Sequence, residues 1–196
     1  LGTSGTTRVL SLTTQTDGET YRNEGVKQYS EKGYSLRKIP IDLYYDIKGW
    51  YVYHKDRIGS EKIDSDHMNE ADILSLPDDL MNKMDIRIAP IIRDWAKEEV
   101  QLSAVYGIRI YRNGSWLKNH GDRPGHILSG ILNIDQDVDE HWPLYMEHHD
   151  GSAEYHYLQP GDLMLYESQL VHGREIPLKG RRYANIFIHY RPRSWA

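Results

Sequence analysis

The sequence of 196 residues contains no cysteine. Disulfides and thiolate metal ligands are therefore excluded, and any bound metal must be held by His, Asp or Glu side chains. Proteins of oxidising and of reducing compartments can both lack cysteine, so this absence leaves the localisation open.

The sequence also lacks long hydrophobic runs and blocks of charge of one sign. No apolar stretch approaches the ~20 residues needed to cross a bilayer, and the first residues do not show the charged region followed by an apolar one that marks a secretion signal. The formal net charge of -5 arises from interspersed acids and bases, so no nucleic-acid-binding or membrane-binding surface is expected. We expect a soluble protein whose partners are peptides or small molecules. The sequence does not indicate its oligomeric state.

A chain of 196 residues fits one folded domain. Its texture changes near residue 104, which divides it into an N-terminal part, 1–104, and a C-terminal part, 105–193. In the N-terminal part, residues 39–53 are rich in β-branched and aromatic side chains, which predicts strands interrupted at Lys48-Gly49. The polar stretch 55–66 shows no hydrophobic period and is a candidate for a lid loop.

Residues 77–95 show the pattern of an amphipathic helix. Pro77 and the acidic Asp78 and Asp79 suit a helix N-terminus. Apolar residues then follow at spacings of three and four: Leu80, Met84, Ile88, Ile91 and Trp95. Pro90 is expected to kink or break this helix.

The C-terminal part consists of short runs rich in Tyr, Ile and Leu that are separated by turn signals. These signals are Asn113-Gly114, Asp150-Gly151, the stretch 159–162 and Lys179-Gly180. Such spacing favours antiparallel strands. We predict an α+β fold that is mainly β, with a double-stranded β-helix, or jelly roll, as its core and N-terminal helices that buttress one sheet.

The pattern His-x-Asp is the first candidate for a metal site. It occurs three times, as His54-Lys55-Asp56, His120-Gly121-Asp122 and His148-His149-Asp150. Side chains at i and i+2 of a strand leave the same face and can meet one metal ion. With a third ligand from elsewhere in the chain, two histidines and one carboxylate form the facial triad of non-haem iron oxygenases.

The sequence context favours the second of the three pairs. His54 lies at the edge of the polar stretch. His148 runs into a hairpin-turn signal, which would place its side chain at a solvated tip. His120 and Asp122 lie between two strand-like runs, and we therefore predict that this pair binds the metal.

Further residues share their spacing with a known enzyme family. Tyr111 precedes His120 by nine residues. His172 follows a Pro-Gly-Asp turn and an aromatic strand, and Arg182 lies ten residues beyond it. On these motifs, the stretch 106–190 resembles the prolyl 4-hydroxylase-like branch of the iron(II)- and 2-oxoglutarate-dependent dioxygenases.

The resemblance implies roles for these residues. His120, Asp122 and His172 would bind iron(II) as the catalytic metal, and Arg182 and Tyr111 would bind 2-oxoglutarate. Dioxygen would be consumed, succinate and carbon dioxide released, and a C–H bond of the substrate hydroxylated, with ascorbate as an optional reductant. Peptidyl proline is the first substrate that the resemblance implies.

Two positions depart from the pattern of prolyl hydroxylases. Leu117 stands where an aromatic residue usually lines the peptide groove, and Ile188 stands where a tryptophan is usual. Another amino acid or a small metabolite therefore fits the same iron centre. A non-catalytic module of cupin type, which binds metal or a ligand, is the alternative in a different class of function.

Strand alternation gives an independent argument about Arg182. Three apolar residues lie on its face of the strand: Ala184, Ile186 and Ile188. We expect this face to point into the roll. A buried guanidinium needs a carboxylate, either from a bound ligand or from the protein, as in an ion pair with Glu167 or Glu175. Tyr111 has the alternative role of a core tyrosine, and Arg174 could contact substrate or lie in solvent.

Overall fold

The computed structural model describes residues 27–61, 67–123 and 125–195. This part of the chain forms two α-helices, α1 (Ile41–Tyr53) and α2 (Asp78–Ala96), and two short 3-10 helices, Lys55–Arg57 and Arg193–Trp195. Its strands are β1 (Tyr34–Lys38), β2 (Gly59–Ser60), β3 (Ala71–Leu74), β4 (Val100–Tyr111), β5 (Leu117–His120), β6 (Leu128–Val138), β7 (Leu144–Glu147), β8 (Ala153–His156), β9 (Asp162–Glu167), β10 (His172–Arg174) and β11 (Gly180–Pro192).

The strands pair antiparallel and form two sheets. The large sheet has the order β1-β9-β6-β11-β4-β3-β2, and the small sheet has the order β5-β10-β7-β8. From β4 onward the chain passes repeatedly from one sheet to the other, which is the path of a double-stranded β-helix. The predicted fold class is therefore confirmed.

Two apolar cores lie on opposite faces of the large sheet. The inner core fills the space between the sheets and includes Tyr111, Ile131, Tyr183 and Phe187 from the large sheet and Leu117, Leu144 and Met146 from the small one. The outer core joins the two helices to the other face of the large sheet and includes Leu43 and Ile47 of α1, Met84 and Ile88 of α2, and Leu132 and Ile186 of the sheet. The helices thus buttress one sheet, as the sequence predicts.

The prediction of strands over 39–53 is wrong, because this stretch forms α1. The buried residues of α1 are Leu43, Ile47 and Tyr51, and their spacing of four is the period of a helix face. The β-branched and aromatic content favours strands, but packing of that face on the large sheet decides the structure. The strand of this region is β1, which pairs with β9 at the sheet edge.

The amphipathic helix is confirmed as α2, with Asp78 and Asp79 in its first turn. The helix runs from residue 78 to 96 with Pro90 inside it, so proline does not break it. Part of the stretch proposed as a lid, 62–66, lies outside the described residues. In the described part of the chain, no helix is long and apolar enough to cross a membrane.

Two glycines give a test of these assignments. Gly107 of β4 has φ +90, and a Cβ there would lie 2.7 Å from the carbonyl oxygen of Leu74. We expect Gly107→Ala to lower the free energy of unfolding by about 2 kcal/mol, since a strained backbone position alone accounts for 1–3 kcal/mol. Gly49 of α1 has open space around its Cβ position, so Gly49→Ala should raise the free energy of unfolding by about 0.5–1 kcal/mol. Urea denaturation measures both, and a destabilising Gly49→Ala would argue against the helix.

Candidate metal centre

His120, Asp122 and His172 come together at one point, as the sequence predicts. One ligand atom from each lies within 4.8 Å of the others, and this is the group of His, Asp and Glu side chains in the described residues that could hold a metal ion. The Nε2 atoms of His120 and His172 lie 4.0 Å and 3.7 Å from Asp122 Oδ1. Two imidazoles and one carboxylate oxygen suit iron(II).

The small sheet positions the two histidines. His172 of β10 lies directly opposite His120 of β5 in the strand pairing. The two backbones approach closely at Gly173, where a Cβ would lie 2.4 Å from the Asn119 Oδ1 atom and 2.8 Å from the Lys118 carbonyl oxygen. Only glycine fits there. Gly173 therefore allows β10 to approach β5 closely, which brings His172 near His120.

Backbone hydrogen bonds select the tautomer of both histidines. The Nδ1 atom of His120 lies 2.7 Å from the Lys118 carbonyl oxygen, and that of His172 lies 2.9 Å from the Leu170 carbonyl oxygen. A carbonyl oxygen only accepts, so Nδ1 carries the proton and Nε2 keeps its lone pair towards Asp122. Burial, together with the neighbouring imidazole of His172, lowers the pKa of His120 to about 3. The ring is therefore a neutral ligand at pH 7.

Two residues that the sequence does not indicate hold the Asp122 carboxylate. Its Oδ2 atom accepts hydrogen bonds from the Tyr166 hydroxyl at 2.8 Å and from Ser129 Oγ at 3.1 Å. Ser129 Oγ also lies 2.7 Å from the Nδ1 atom of His189. Burial raises the pKa of Asp122, but the His172 and His189 rings and the Tyr166 hydroxyl outweigh it, so the pKa is lowered. The carboxylate stays ionised, with Oδ1 free to bind a metal.

The sequence gives only a weak signal for these residues. Ser129 is the one residue of β6 with a hydroxyl group, and Tyr166 ends the apolar run of β9. Either residue could have been an ordinary core residue. Their contact with Asp122 is set by the tertiary fold.

The other two His-x-Asp pairs lie elsewhere. The Nδ1 atom of His54 bonds to the Trp50 carbonyl oxygen at the end of α1. The prediction that His148 lies at a solvated tip is wrong, because its side chain is 12% exposed. Its Nε2 atom lies 2.7 Å from the Tyr34 hydroxyl, since the β7–β8 hairpin folds against the edge strand β1.

Arg174 is the buried cation nearest in sequence to the metal ligands. It lies two residues after His172 on β10, and it is 2% exposed. Its guanidinium lies 4.6 Å and 4.7 Å from the ring centroids of Trp142 and Tyr183. It donates to the Trp142 carbonyl oxygen at 2.5 Å and to the Tyr183 hydroxyl at 3.3 Å. Within the described residues it makes no ion pair with a carboxylate, so its charge is left without a counter-ion.

The interior around Arg174 contains further polar groups without partners. In the described residues, the Tyr111 hydroxyl, both amide atoms of Asn185 and Asn133 Oδ1 are buried and make no hydrogen bond. Tyr111 lies opposite Tyr183 in the β4–β11 pairing. Each unpaired buried group costs about 1–3 kcal/mol. A bound polar ligand, or water, is therefore expected in the roll.

The structure does not bring Arg182 to this site. Its Nε atom donates to Asp135 Oδ2 at 2.6 Å, and its Nη1 atom donates to Asp137 Oδ2 at 3.0 Å. The side chain is 30% exposed, and Lys48 of α1 forms a second ion pair with Asp135. The expectation that its strand face points into the roll is wrong, because Ala184 belongs to the outer core beneath the helices. Both faces of β11 are buried, so alternation alone could not tell the inner face from the outer.

Comparison with known proteins identifies the fold. No protein-family model and no curated protein sequence matches the chain. A prolyl-4-hydroxylase from Pseudomonas putida is 15% identical, with a TM-score of 0.61 over 83% of this chain and 94% of that chain. EctD from S. alaskensis, solved with bound Fe, is 15% identical, with a TM-score of 0.59 over 85% and 75%. HygX from Streptomyces hygroscopicus, solved with nickel, 2-oxoglutarate and hygromycin B, is 12% identical, with a TM-score of 0.60 over 83% and 84%. The chain thus shares the fold of 2-oxoglutarate and iron(II) oxygenases.

Removal of Asp122 tests the metal centre. We expect Asp122→Ala to weaken Fe(II) binding by more than about 100-fold, because even the partners of metal ligands contribute 10–100-fold. The circular dichroism spectrum should remain that of the wild type. Anaerobic calorimetric titration measures the affinity. The control variants His54→Ala and His148→Ala should bind Fe(II) like the wild type, and loss of binding in either would identify a different site.

Removal of the Tyr166 hydroxyl tests how Asp122 is held. Tyr166→Phe keeps all three ligands but removes the shorter of the two hydrogen bonds to Oδ2 and leaves that of Ser129, so we expect Fe(II) affinity to fall by about 10–100-fold. Tyr34→Phe is the matched control, since its hydroxyl bonds to His148 and Glu154, away from the triad. Equal affinities in the two variants would show that the Tyr166 hydrogen bond does not position the ligand.

Proposed function

We propose that the chain is an iron(II)- and 2-oxoglutarate-dependent oxygenase that hydroxylates a C–H bond. The observation that carries this proposal is the convergence of two imidazole Nε2 atoms and one carboxylate oxygen, with a buried guanidinium two residues after His172 that has no carboxylate partner in the described part of the chain. A metal-binding module without a co-substrate has no need of that guanidinium. The non-catalytic alternative is therefore less well supported.

The donor set fits iron(II). His120 and His172 would bind through Nε2 and Asp122 through Oδ1, which leaves coordination positions for co-substrate and dioxygen. When bound, iron(II) and 2-oxoglutarate would activate dioxygen, which is the oxidant: one oxygen atom would enter succinate, formed with carbon dioxide from 2-oxoglutarate, and the other would enter the C–H bond as a hydroxyl group. The protein fixes the ligands through the pairing of β5 with β10 and through the hydrogen bonds to Asp122.

Arg174, rather than Arg182, is proposed to bind the far carboxylate of 2-oxoglutarate. Arg182 already has two carboxylate partners, whereas Arg174 lacks one in the described part of the chain. Residues i and i+2 of a strand are roughly 7 Å apart on one face, so Arg174 and His172 are separated by about the length of a five-carbon diacid. The Tyr111 hydroxyl, which makes no hydrogen bond within the described residues, is proposed to donate one to the same carboxylate.

The class of substrate is less constrained than the type of reaction. The resemblance of the sequence implies peptidyl proline, and a structure of similar fold is a prolyl-4-hydroxylase. However, Ile188 lies in the outer core beneath the helices, so it cannot line a substrate groove. The inward neighbour is Phe187. Another amino acid or a small metabolite is therefore an equal candidate by this geometry.

One assay tests the class of function. Purified protein with Fe(II), ascorbate and 2-oxoglutarate is expected to release succinate slowly without substrate and faster with the right one. Asp122→Ala provides the blank. A panel of proline-containing peptides, free amino acids and small acids then addresses the substrate. Absence of succinate above the blank under all these conditions would contradict the proposal.

The two arginines give the sharpest test of the co-substrate site. Arg174→Met keeps the side-chain volume but removes a charge-assisted contact, so the apparent Michaelis constant for 2-oxoglutarate should rise at least about tenfold, the equivalent of 1.4 kcal/mol. Arg182→Met should leave that constant unchanged and lower thermal stability, since it removes one partner of Asp135. The shift in melting temperature caused by 2-oxoglutarate gives a second readout. The reverse pattern would return the co-substrate to Arg182.

A further inference from the structure

Besides Arg174 of the small sheet, a second arginine faces the space between the two sheets, and this one belongs to the large sheet. Arg109 of β4 precedes the buried Tyr111 by two residues and therefore shares its face. The guanidinium carbon lies 5.1 Å from the ring centroid of Phe187, which belongs to the inner core. Two residues further along β11, His189 lies 3.7 Å from Asp122. Arg109 thus faces the interior close to the metal centre.

The partner of Arg109 comes from the sheet edge. Glu61 follows β2, and its backbone N–H bonds to the Ala71 carbonyl oxygen on β3. Its two carboxylate oxygens accept from Nε and Nη2 of Arg109, both at 2.6 Å. The side chains are 20% and 18% exposed. The Arg109 guanidinium thus binds a carboxylate through two hydrogen bonds, and we call this binding position the seat. Because both side chains are partly exposed, solvent, and hence a solute, can reach it.

The presence of this ion pair is only weak evidence that it serves fold stability. Taking a guanidinium and a carboxylate out of water costs several kcal/mol, and apolar residues of similar volume at such positions are often as stable. An interior arginine beside a metal centre is thus better explained by a ligand. Asn185 gives an independent indication, because it lies opposite Arg109 in the β4–β11 pairing. It is fully buried, and both its amide atoms lack a hydrogen-bond partner among the described residues.

We propose that Arg109 recognises a carboxylate of the substrate, which replaces Glu61 on the guanidinium. The apolar or aromatic part next to that carboxylate packs on Phe187, and Asn185 hydrogen-bonds a polar group of the same molecule. This inference rests on the proposed function and narrows its substrate to a small carboxylic acid. An internal proline of a peptide has no carboxylate at this place.

The assignment separates the two interior arginines by charge. Arg174 has no carboxylate partner in the described residues and takes the co-substrate. Arg109 has Glu61, which keeps the seat neutral until a substrate carboxylate exchanges with it. Two different anions can then be bound at two different cations.

Benzoate is the probe for the seat, because it combines a carboxylate with an aromatic ring. Its affinity for the full chain, without iron and 2-oxoglutarate, is measured by calorimetry and by the shift in melting temperature. Glu61→Ala should bind benzoate at least tenfold more tightly than the wild type, since the competing carboxylate is gone. Benzamide, which lacks the charge, should not bind. If Glu61→Ala does not fold, Glu61→Gln replaces it, with an expected gain of at least threefold.

Two further variants locate the binding. Arg109→Met in the Glu61→Ala background should abolish benzoate binding, whereas Arg174→Met in that background should retain it. Equal benzoate affinity in wild type and Glu61 variants, binding that survives Arg109→Met, or equal binding of benzamide would each overturn the proposal.

Turnover then links the seat to the substrate. Small acids that stimulate succinate release should lose that effect when converted to their primary amides, and stimulation by the amides would overturn the inference. Because the benzoate measurement needs no iron or 2-oxoglutarate, failure of the proposed oxygenase activity leaves its result interpretable. The two failures are therefore distinguishable.

Discussion

The register between β5 and β10 is the constraint on which the candidate site depends. It sets His172 directly opposite His120. The absence of a side chain at Gly173 allows the two strands to approach this closely. The two histidines are far apart in sequence, and this strand pairing makes them neighbours. The same short strand carries Arg174 on the face of His172, and the position of a cation relative to the metal centre is thereby fixed as well.

Charge compensation distinguishes three arginines that the fold buries to different degrees. Arg182 lies on the outer face and is neutralised by two aspartates. Arg109 lies on the inner face and is neutralised by Glu61 from the sheet edge. Arg174 is the most deeply buried of the three. Within the described residues its guanidinium contacts a carbonyl oxygen, a hydroxyl group and two aromatic rings, and no carboxylate. The same side chain is therefore paired with aspartates in one place and is left, in another, as the proposed binding group for an anion.

Local spacing accounts for what could be predicted from the sequence. The i and i+2 relation of His120 and Asp122 is a property of any strand, and turn signals mark the strand ends of the jelly roll. Alternation also predicts which residues share a face, but it does not tell which face a helix covers, and the position of Arg182 depends on that. The helical period of α1 was hidden by its strand-like composition. The hold of Tyr166 on Asp122 depends on contacts between strands far apart in sequence, which no local pattern contains.

The hydrogen bonds to Asp122 have a consequence for the coordination number of a bound metal. With Oδ2 engaged by Tyr166 and Ser129, Asp122 would hold a metal ion through Oδ1 alone. A bidentate carboxylate would occupy a fourth position of an octahedron and leave two. By engaging Oδ2, the two hydroxyl groups would leave one more ligand position of a bound metal open to the proposed co-substrate and dioxygen.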